Sequence, residues 1–261
     1  MTVDYKGSKL FYTVTGSGPA CILLHGFLEN ITICDVIRTQ LKSGHKVICI
    51  DLPGHGQSDV LDGTFSIADM ADAVLQVVER EKLGKVDLVG HSMGGYVALA
   101  FAKANPEIVN GLLLLNSTPV ADDKQRMANR KHGIAMAEKN YEAIVKMSIA
   151  NLFASNNRKK LEKEIENLRD EALKTPLEGY VASQEAMMNR PDLSNFWKEA
   201  TFQKAMLLGE NDTLIEAFET KKAFTDRVPE ITILSGGHVL FLENPQKTYE
   251  KIQDFLNKDQ D

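Results

Sequence analysis

The sequence predicts an α/β fold in which helices cover both faces of a parallel sheet. In the first 119 residues, short apolar segments typical of buried strands alternate with segments long enough for helices. Residues 120 to 198 contain no strand-like segment, and the alternation resumes after them. Strands joined by helices form parallel sheets, whose strands are apolar throughout because helices cover both faces. We therefore predict an α/β core interrupted by a helical insertion.

Four strands and two helices are predicted in the first part of the core. The strands are the apolar segments at residues 20–24, 47–50, 86–89 and 111–115. The first helix, residues 66–82, has apolar residues near helical spacing from Ile67 to Val78. The second helix, residues 96–104, is apolar on nearly every side and is therefore predicted to be buried. It ends at Asn105, because a residue before proline avoids helical backbone angles.

The insertion is predicted to consist of amphipathic helices. Apolar residues recur at helical spacing at positions 141, 144, 145, 149 and 152, and again at positions 161, 165, 168 and 172. Such a segment covers the sheet edge where active sites gather, so we predict a lid of residues 120–198 and a core of residues 1–119 and 199–261. Asp122 and Asp123 are interpreted as exposed charges that enter the lid. Five of the nine methionines lie in the lid, where they either line an adaptable pocket or pack the helices.

The last part of the core resumes the alternation of strand and helix. A strand is predicted at residues 205–208, a helix from about 215 to 224, and a strand at 231–234. Asn244 and Pro245 open the final helix, because asparagine caps a helix N-terminus and proline fits its first turn.

Composition limits the classes of partner. The 261 residues include 30 Lys and Arg against 36 Asp and Glu, and the net charge of −6 argues against nucleic acid as the main partner. The charged start shows no signal peptide, and no apolar run approaches the roughly 20 residues of a membrane span. Cys21, Cys34 and Cys49 cannot all pair within one chain, and we interpret them as buried reduced thiols. These features predict a cytoplasmic protein.

Ser92 is the predicted nucleophile. It lies in the pentapeptide Gly90-His91-Ser92-Met93-Gly94, which fits the pattern G-x-S-x-G. A predicted strand precedes this segment and a predicted helix follows it, so the hydroxyl lies at the tip of a strained turn. The glycines leave room for that turn, and the helix N-terminus favours negative charge.

A serine nucleophile needs a base, and the base needs a carboxylate. His238 follows a pair of glycines after the strand at 231–234, which places it at the same edge of the sheet as Ser92. Asp212 follows the strand at 205–208, and the order Ser92, Asp212, His238 is the order that this architecture uses. Glu210 is the local alternative to Asp212. Asn116 ends a neighbouring strand, but an amide cannot be the ionised partner.

The oxyanion of a tetrahedral intermediate needs backbone N–H donors. Met93 directly follows the nucleophile and supplies one donor. The second is predicted in the loop after residues 20–24, where Gly26 allows a sharp turn and Phe27 carries the N–H. His25 is expected to hydrogen-bond to the loop backbone.

Taken together, these segments resemble the α/β-hydrolase superfamily, close to its lidded esterase, haloperoxidase-like and C–C hydrolase branch. The matching segments lie at residues 23–27, 51–58, 90–95, 209–212 and 236–238. The resemblance implies an eight-stranded, mostly parallel sheet with a first hairpin within about Val3 to Val14, and a lid after the sixth strand. Dehalogenases of this fold carry an aspartate in place of Ser92.

The predicted function is hydrolysis of a small carboxylic ester or thioester through an acyl-enzyme on Ser92, as in a carboxylesterase. The sequence contains no phosphate-binding loop, dinucleotide fingerprint or metal spacing, so no cofactor or metal is expected. Two alternatives remain open at this point. One is a C–C hydrolase, lyase or synthase with the same three residues, and the other is a receptor that only binds a ligand.

Overall fold

The strands form one eight-stranded sheet in the computed structural model, which describes residues 1–258. They are β1 (Thr2–Tyr5), β2 (Ser8–Thr15), β3 (Ala20–Leu24), β4 (Lys46–Ile50), β5 (Val86–His91), β6 (Val109–Leu115), β7 (Gln203–Gly209) and β8 (Glu230–Leu234). Their order across the sheet is β1-β2-β4-β3-β5-β6-β7-β8. β1 and β2 form an antiparallel hairpin, β2 is antiparallel to β4, and all other neighbours are parallel. The predicted eight-stranded, mostly parallel sheet is confirmed.

Helices connect the strands. They are α1 (Asp35–Leu41), α2 (Ile67–Arg80), α3 (Met93–Ala104), α4 (Lys124–Ala137), α5 (Tyr141–Leu152), α6 (Glu162–Ala172), α7 (Leu177–Met188), α8 (Ser194–Glu199), α9 (Ala217–Phe224), α10 (Leu240–Glu243) and α11 (Pro245–Asn257). The sequence pattern did not indicate α1, because this helix is only seven residues long and only two of its residues, Ile37 and Leu41, are buried. α3 begins at Met93, three residues before the predicted start, so Ser92 lies directly at its N-terminus.

Two apolar layers form the core, one on each face of the sheet. On the strand β3, Ile22 and Leu24 belong to the layer that includes α2 and α3, whereas Cys21 and Leu23 belong to the layer that includes α1 and α11. The strand is therefore buried on both faces, as expected for a parallel sheet covered by helices. All three cysteines lie in the second layer, buried and without a disulfide bond.

The helices α4 to α8 lie between β6 and β7, where the insertion was predicted. One expectation for this segment is wrong: Asp122 is not an exposed charge. Its carboxylate is fully buried and binds the guanidinium groups of Arg130 and Arg190, the latter at 2.7 Å. Burial alone raises the pKa of Asp122, but these two cations hold it below its ordinary value. Asp123 is exposed as expected and caps α4 by accepting the Arg126 N–H.

Across residues 1–258, none of the helices is both long enough and apolar enough to cross a bilayer.

Candidate active site

Ser92 lies on a sharp turn between β5 and α3. Its backbone angles are φ +49° and ψ −115°, an unfavourable conformation for a residue with a side chain. Such a conformation costs roughly 1–3 kcal/mol and persists only where the surrounding structure imposes it. The glycines of the motif make the turn possible: a Cβ at Gly94 would lie 2.3 Å from the Leu24 carbonyl oxygen, and one at Gly90 would lie 2.6 Å from the Gly94 carbonyl oxygen.

The structure brings Ser92, His238 and Asp212 into one hydrogen-bonded row. His238 Nε2 lies 2.7 Å from Ser92 Oγ, and His238 Nδ1 lies 2.8 Å from Asp212 Oδ2. Ser92 follows β5, Asp212 follows β7 and His238 follows β8, so the three residues meet at the carboxyl edge of the parallel sheet. The side chains of His238 and Asp212 are almost fully buried, which excludes competing water from their contact.

Four hydrogen-bond donors hold the buried carboxylate of Asp212. Its Oδ1 accepts the N–H groups of Leu214 at 2.8 Å and Ile215 at 3.0 Å. Its Oδ2 accepts from His238 and from Asn116 Nδ2, the latter at 2.8 Å. Burial alone raises the pKa of the Asp212 carboxyl, but interaction with His238 and these hydrogen bonds hold it below its ordinary value. The group is therefore a carboxylate over the neutral pH range.

Asn116 is a site residue that sequence reasoning set aside. Its amide cannot be the ionised partner, but the structure uses it as a donor to Asp212 and to the Gly237 carbonyl oxygen at 3.2 Å. It is fully buried at the end of β6, with a left-handed φ of +45°. The sequence signal that could have identified Asn116 is its position as a polar residue at the carboxyl end of β6, the strand beside β7. Glu210, the alternative to Asp212, has an exposed side chain.

Phe27 lines the same cavity as Ser92, and Met93 directly follows Ser92 in the chain. Phe27 is in the turn after β3, and in residues 1–258 no hydrogen bond to its N–H is present. Met93 is the first residue of α3, so its N–H has no acceptor within the helix. His25 binds loop backbone as predicted: Nδ1 contacts the Gly26 carbonyl oxygen, and Nε2 accepts the Leu52 N–H.

A cavity of about 510 Å³ opens above Ser92 and His238. Its walls are mainly apolar and come from the core and from the insertion, including Phe27, Met136 and Ile144. Three of the five insertion methionines, at positions 136, 147 and 187, line it. Methionine adapts its shape to an apolar ligand, so this lining suits apolar ligands of varied shape.

A model of the family described as alpha/beta hydrolase fold matches residues 19–245 of this chain. The match covers most of the 261 residues and includes Ser92, Asp212 and His238. The chain belongs to the alpha/beta hydrolase family.

Individual relatives of this family member are distant. An uncharacterized protein of Mycobacterium tuberculosis is 36% identical over 117 residues, which make up 45% of this chain and 34% of that protein. The chain thus matches about a third of the length of that relative. The 2-(acetamidomethylene)succinate hydrolase of Mesorhizobium japonicum is 24% identical, with 98% of this chain and 94% of that protein covered.

One solved structure resembles this protein along nearly the whole length of both chains. The thermophilic esterase from Thermogutta terrifontis superimposes with a TM-score of 0.90 at 27% identity, covering 98% of this chain and 96% of that one. The family match and this superposition agree on the fold of the chain.

Replacing Asn116 by alanine is expected to lower the kcat of this family member about tenfold and to leave KM nearly unchanged. Asn116 Nδ2 donates to Asp212 at 2.8 Å, and a hydrogen bond to a charged group contributes about 1.5–3 kcal/mol. A loss of about 1.4 kcal/mol in the transition state corresponds to a tenfold slower reaction. Steady-state kinetics on a short p-nitrophenyl ester measures the effect. Asn105→Ala, at the end of α3, is the matched control, and equal kinetics of the two variants would contradict the expectation.

Proposed function

We propose that the protein is a carboxylesterase-like serine hydrolase that cleaves small carboxylic esters or thioesters through an acyl-enzyme on Ser92. The observation that carries the proposal is the continuous row of hydrogen bonds from Ser92 through His238 to Asp212 at the floor of the cavity. The relatives whose names include esterase and hydrolase support it.

Acylation begins with the proton of Ser92. Asp212 is a carboxylate and only accepts, so His238 carries its proton on Nδ1 and directs the Nε2 lone pair at the Ser92 hydroxyl. Ser92 Oγ forms a bond to the substrate carbonyl carbon while Nε2 takes the hydroxyl proton. The carbonyl π electrons move to oxygen. When the intermediate collapses, the bond to the alcohol or thiol breaks, and the leaving group takes the proton from Nε2.

Deacylation repeats these steps with water. His238 Nε2 takes a proton from water as the water oxygen bonds to the acyl carbon. The second tetrahedral intermediate releases Ser92 Oγ, which recovers the proton from Nε2, and the carboxylic acid leaves. The substrate and one water molecule are the only reactants that the two stages consume.

We assign the stabilisation of the negative charge on both tetrahedral intermediates to the backbone N–H groups of Phe27 and Met93. Phe27 lines the same cavity as Ser92, Met93 directly follows Ser92, and neither N–H has an intrahelical acceptor. Preorganised donors of this kind stabilise developing charge in a site that excludes water. Residues of α4, α5 and α7 form much of the cavity wall, and the insertion from α4 to α8 acts in this proposal as a lid that selects the substrate.

A fluorophosphonate probe and a substrate panel test the proposal. We expect one adduct, on Ser92, in the mass spectrum of the digested protein, together with rapid turnover of short p-nitrophenyl esters. An unlabelled Ser92 in folded protein would overturn the covalent mechanism and favour a receptor that only binds ligand. Slow turnover of every ester beside fast cleavage of a vinylogous diketone would instead assign the same residues to C–C bond hydrolysis.

A further inference from the structure

Two buried ionisable side chains next to Ser92 have no part in the steps above. His91, the residue before Ser92, places Nδ1 2.8 Å from Glu29 Oε2 and Nε2 2.8 Å from the His238 carbonyl oxygen. The side chains of His91 and Glu29 are 4% and 1% exposed. Charged groups are rarely buried so deeply unless they are paired, so the contact calls for a physical explanation.

The two partners of His91 determine its protonation. A carboxylate and a carbonyl oxygen both accept hydrogen bonds, and neither donates. A neutral imidazole has one N–H, so both contacts are hydrogen bonds only when His91 is an imidazolium. Its positive charge is then balanced by Glu29. Burial alone lowers the pKa of His91, but the Glu29 carboxylate raises it above its ordinary value, and the same pairing holds the pKa of buried Glu29 below its own.

The other ionisable groups around the pair are consistent with this state. The Asp212 carboxylate also raises the pKa of His91. The ring of His238 lies 5.1 Å from that of His91, centroid to centroid. His25 and Cys34 are further neighbours. Burial lowers the pKa of His25, and a hydrogen bond with Cys49 together with burial raises the pKa of the Cys34 thiol, so both stay uncharged beside the ion pair. The Glu29–His91 pair therefore consists of one cation and one anion, with the Asp212 carboxylate and the uncharged His25 and Cys34 nearby.

The pair also connects three separate parts of the site. Glu29 Oε2 accepts the Gly26 N–H at 2.5 Å, and Gly26 precedes Phe27, whose N–H is assigned to the oxyanion. His91 is joined by the chain to Ser92 and by a hydrogen bond to the backbone of His238. The packing is close: a Cβ at Gly26 would lie 2.7 Å from Glu29 Oε2 and 2.8 Å from His91 Nδ1.

We propose that Glu29 and His91 form an ion pair that positions the Gly26–Phe27 turn and the His238 backbone relative to Ser92. The inference rests on the function proposed for Ser92. Both are positioning residues, because Glu29 acts through the Gly26 amide and His91 through the His238 carbonyl. The pair aligns the oxyanion donor and the base with the nucleophile, so its effect falls on the transition state and not on substrate affinity.

The protonation state is tested first on the unaltered protein. Long-range ¹H–¹⁵N NMR spectra of the histidine rings are recorded over a pH series that spans the ordinary pKa of histidine, near 6.5. We expect both ring nitrogens of His91 to be protonated at pH 6.5 and the His91 midpoint to lie above that value, with the signals assigned by their loss in His91→Gln. A His91 ring with one unprotonated nitrogen at pH 6.5 would overturn the ion pair, and the result requires no variant to be active.

Kinetics of Glu29→Gln tests the positioning role. Glutamine keeps the shape and an acceptor oxygen but removes the charge. We expect kcat for a p-nitrophenyl ester to fall about 10-fold to 100-fold, as for a misplacement of roughly 1 Å, with KM changed by less than about a factor of two. The Glu29→Gln, His91→Gln double variant is expected to lose no more than the worse single variant, because the two residues act as a unit. Additive losses, or a raised KM with unchanged kcat, would contradict the proposal.

The pH dependence of stability separates an ion pair from simple packing. Glu29, with its lowered pKa, stabilises the fold above its ordinary value near 4.5, and this stabilisation is lost as the pH falls through the folded-state value. His91, with its raised pKa, stabilises the fold below its ordinary value near 6.5, and this is lost as the pH rises through the folded-state value. The Tm difference between the unaltered protein and Glu29→Gln is therefore expected to be largest between these two values. A difference independent of pH would indicate packing alone.

Two controls keep this inference separate from the proposed function. His45→Gln removes another buried histidine, located before β4 at the opposite edge of the sheet, and should leave kcat unchanged. The fluorophosphonate adduct on Ser92 reports the proposed function independently. If Ser92 is labelled and Glu29→Gln keeps full kcat, only the positioning role fails. If Ser92 is not labelled, the proposed function fails, whatever the NMR spectra show.

Discussion

Ser92→Ala is expected to abolish ester hydrolysis, lowering kcat by a factor on the order of 10⁶. The variant removes the oxygen that lies 2.7 Å from His238 Nε2, so no acyl-enzyme forms. In the proposed mechanism, whatever rate remains comes from substrate binding and from the backbone donors assigned to Phe27 and Met93, which still act on an attacking water. The measurement is steady-state turnover of a p-nitrophenyl ester, together with the mass of the protein after exposure to a fluorophosphonate.

The fold is expected to survive this substitution because only one hydroxyl is lost. The strained φ of +49° at position 92 is imposed by the surrounding turn and is similar for alanine and serine. Ser194→Ala, a half-buried serine at the start of α8, is the matched control and should keep full activity and labelling. Turnover within tenfold of the unaltered protein in a folded Ser92→Ala variant would exclude Ser92 as the nucleophile.

Asp212→Asn is expected to lower kcat by a factor on the order of 10⁴ with little change in KM. The carboxylate accepts two backbone N–H groups on Oδ1, and the His238 and Asn116 donors on Oδ2. Asparagine has one acceptor oxygen. If that oxygen stays on the backbone N–H groups, its NH₂ faces His238 Nδ1, which must then lose its proton. The proton moves to Nε2, and His238 no longer accepts the proton of Ser92.

Two further variants make the assignment of Asp212 specific. Asp226→Asn, at an exposed aspartate outside the site, should leave the kinetics unchanged. Glu210→Gln tests the local alternative and should also retain activity, because the Glu210 side chain is exposed and Asp212 holds the contact with His238. Loss of activity in Glu210→Gln beside normal kinetics in Asp212→Asn would transfer the role to Glu210.

The sequence predicted the sheet and the location of Ser92, Asp212 and His238 because both depend on local patterns. Apolar runs such as residues 20–24 identify buried strands wherever they pack, and a parallel sheet gathers its strand ends at one edge. Ser92 directly follows such a strand, and Asp212 and His238 lie three and four residues after the ends of theirs. The glycines around Ser92 similarly reflect a local requirement, since a side chain at Gly90 or Gly94 would collide with nearby backbone.

Contacts between distant segments were decided only by the tertiary structure. Asp122 reads as a surface charge, but two arginines from the insertion reach it and make its burial possible. Asn116 and Asp212 are 96 residues apart, and Glu29 and His91 are 62 apart. Local periodicity indicates which face of an element is buried and carries no information on which polar groups meet inside. The sequence by itself therefore determined most of the strands and helices and the order of the candidate site residues. The donors and charges that hold those residues in place depend on how the chain packs.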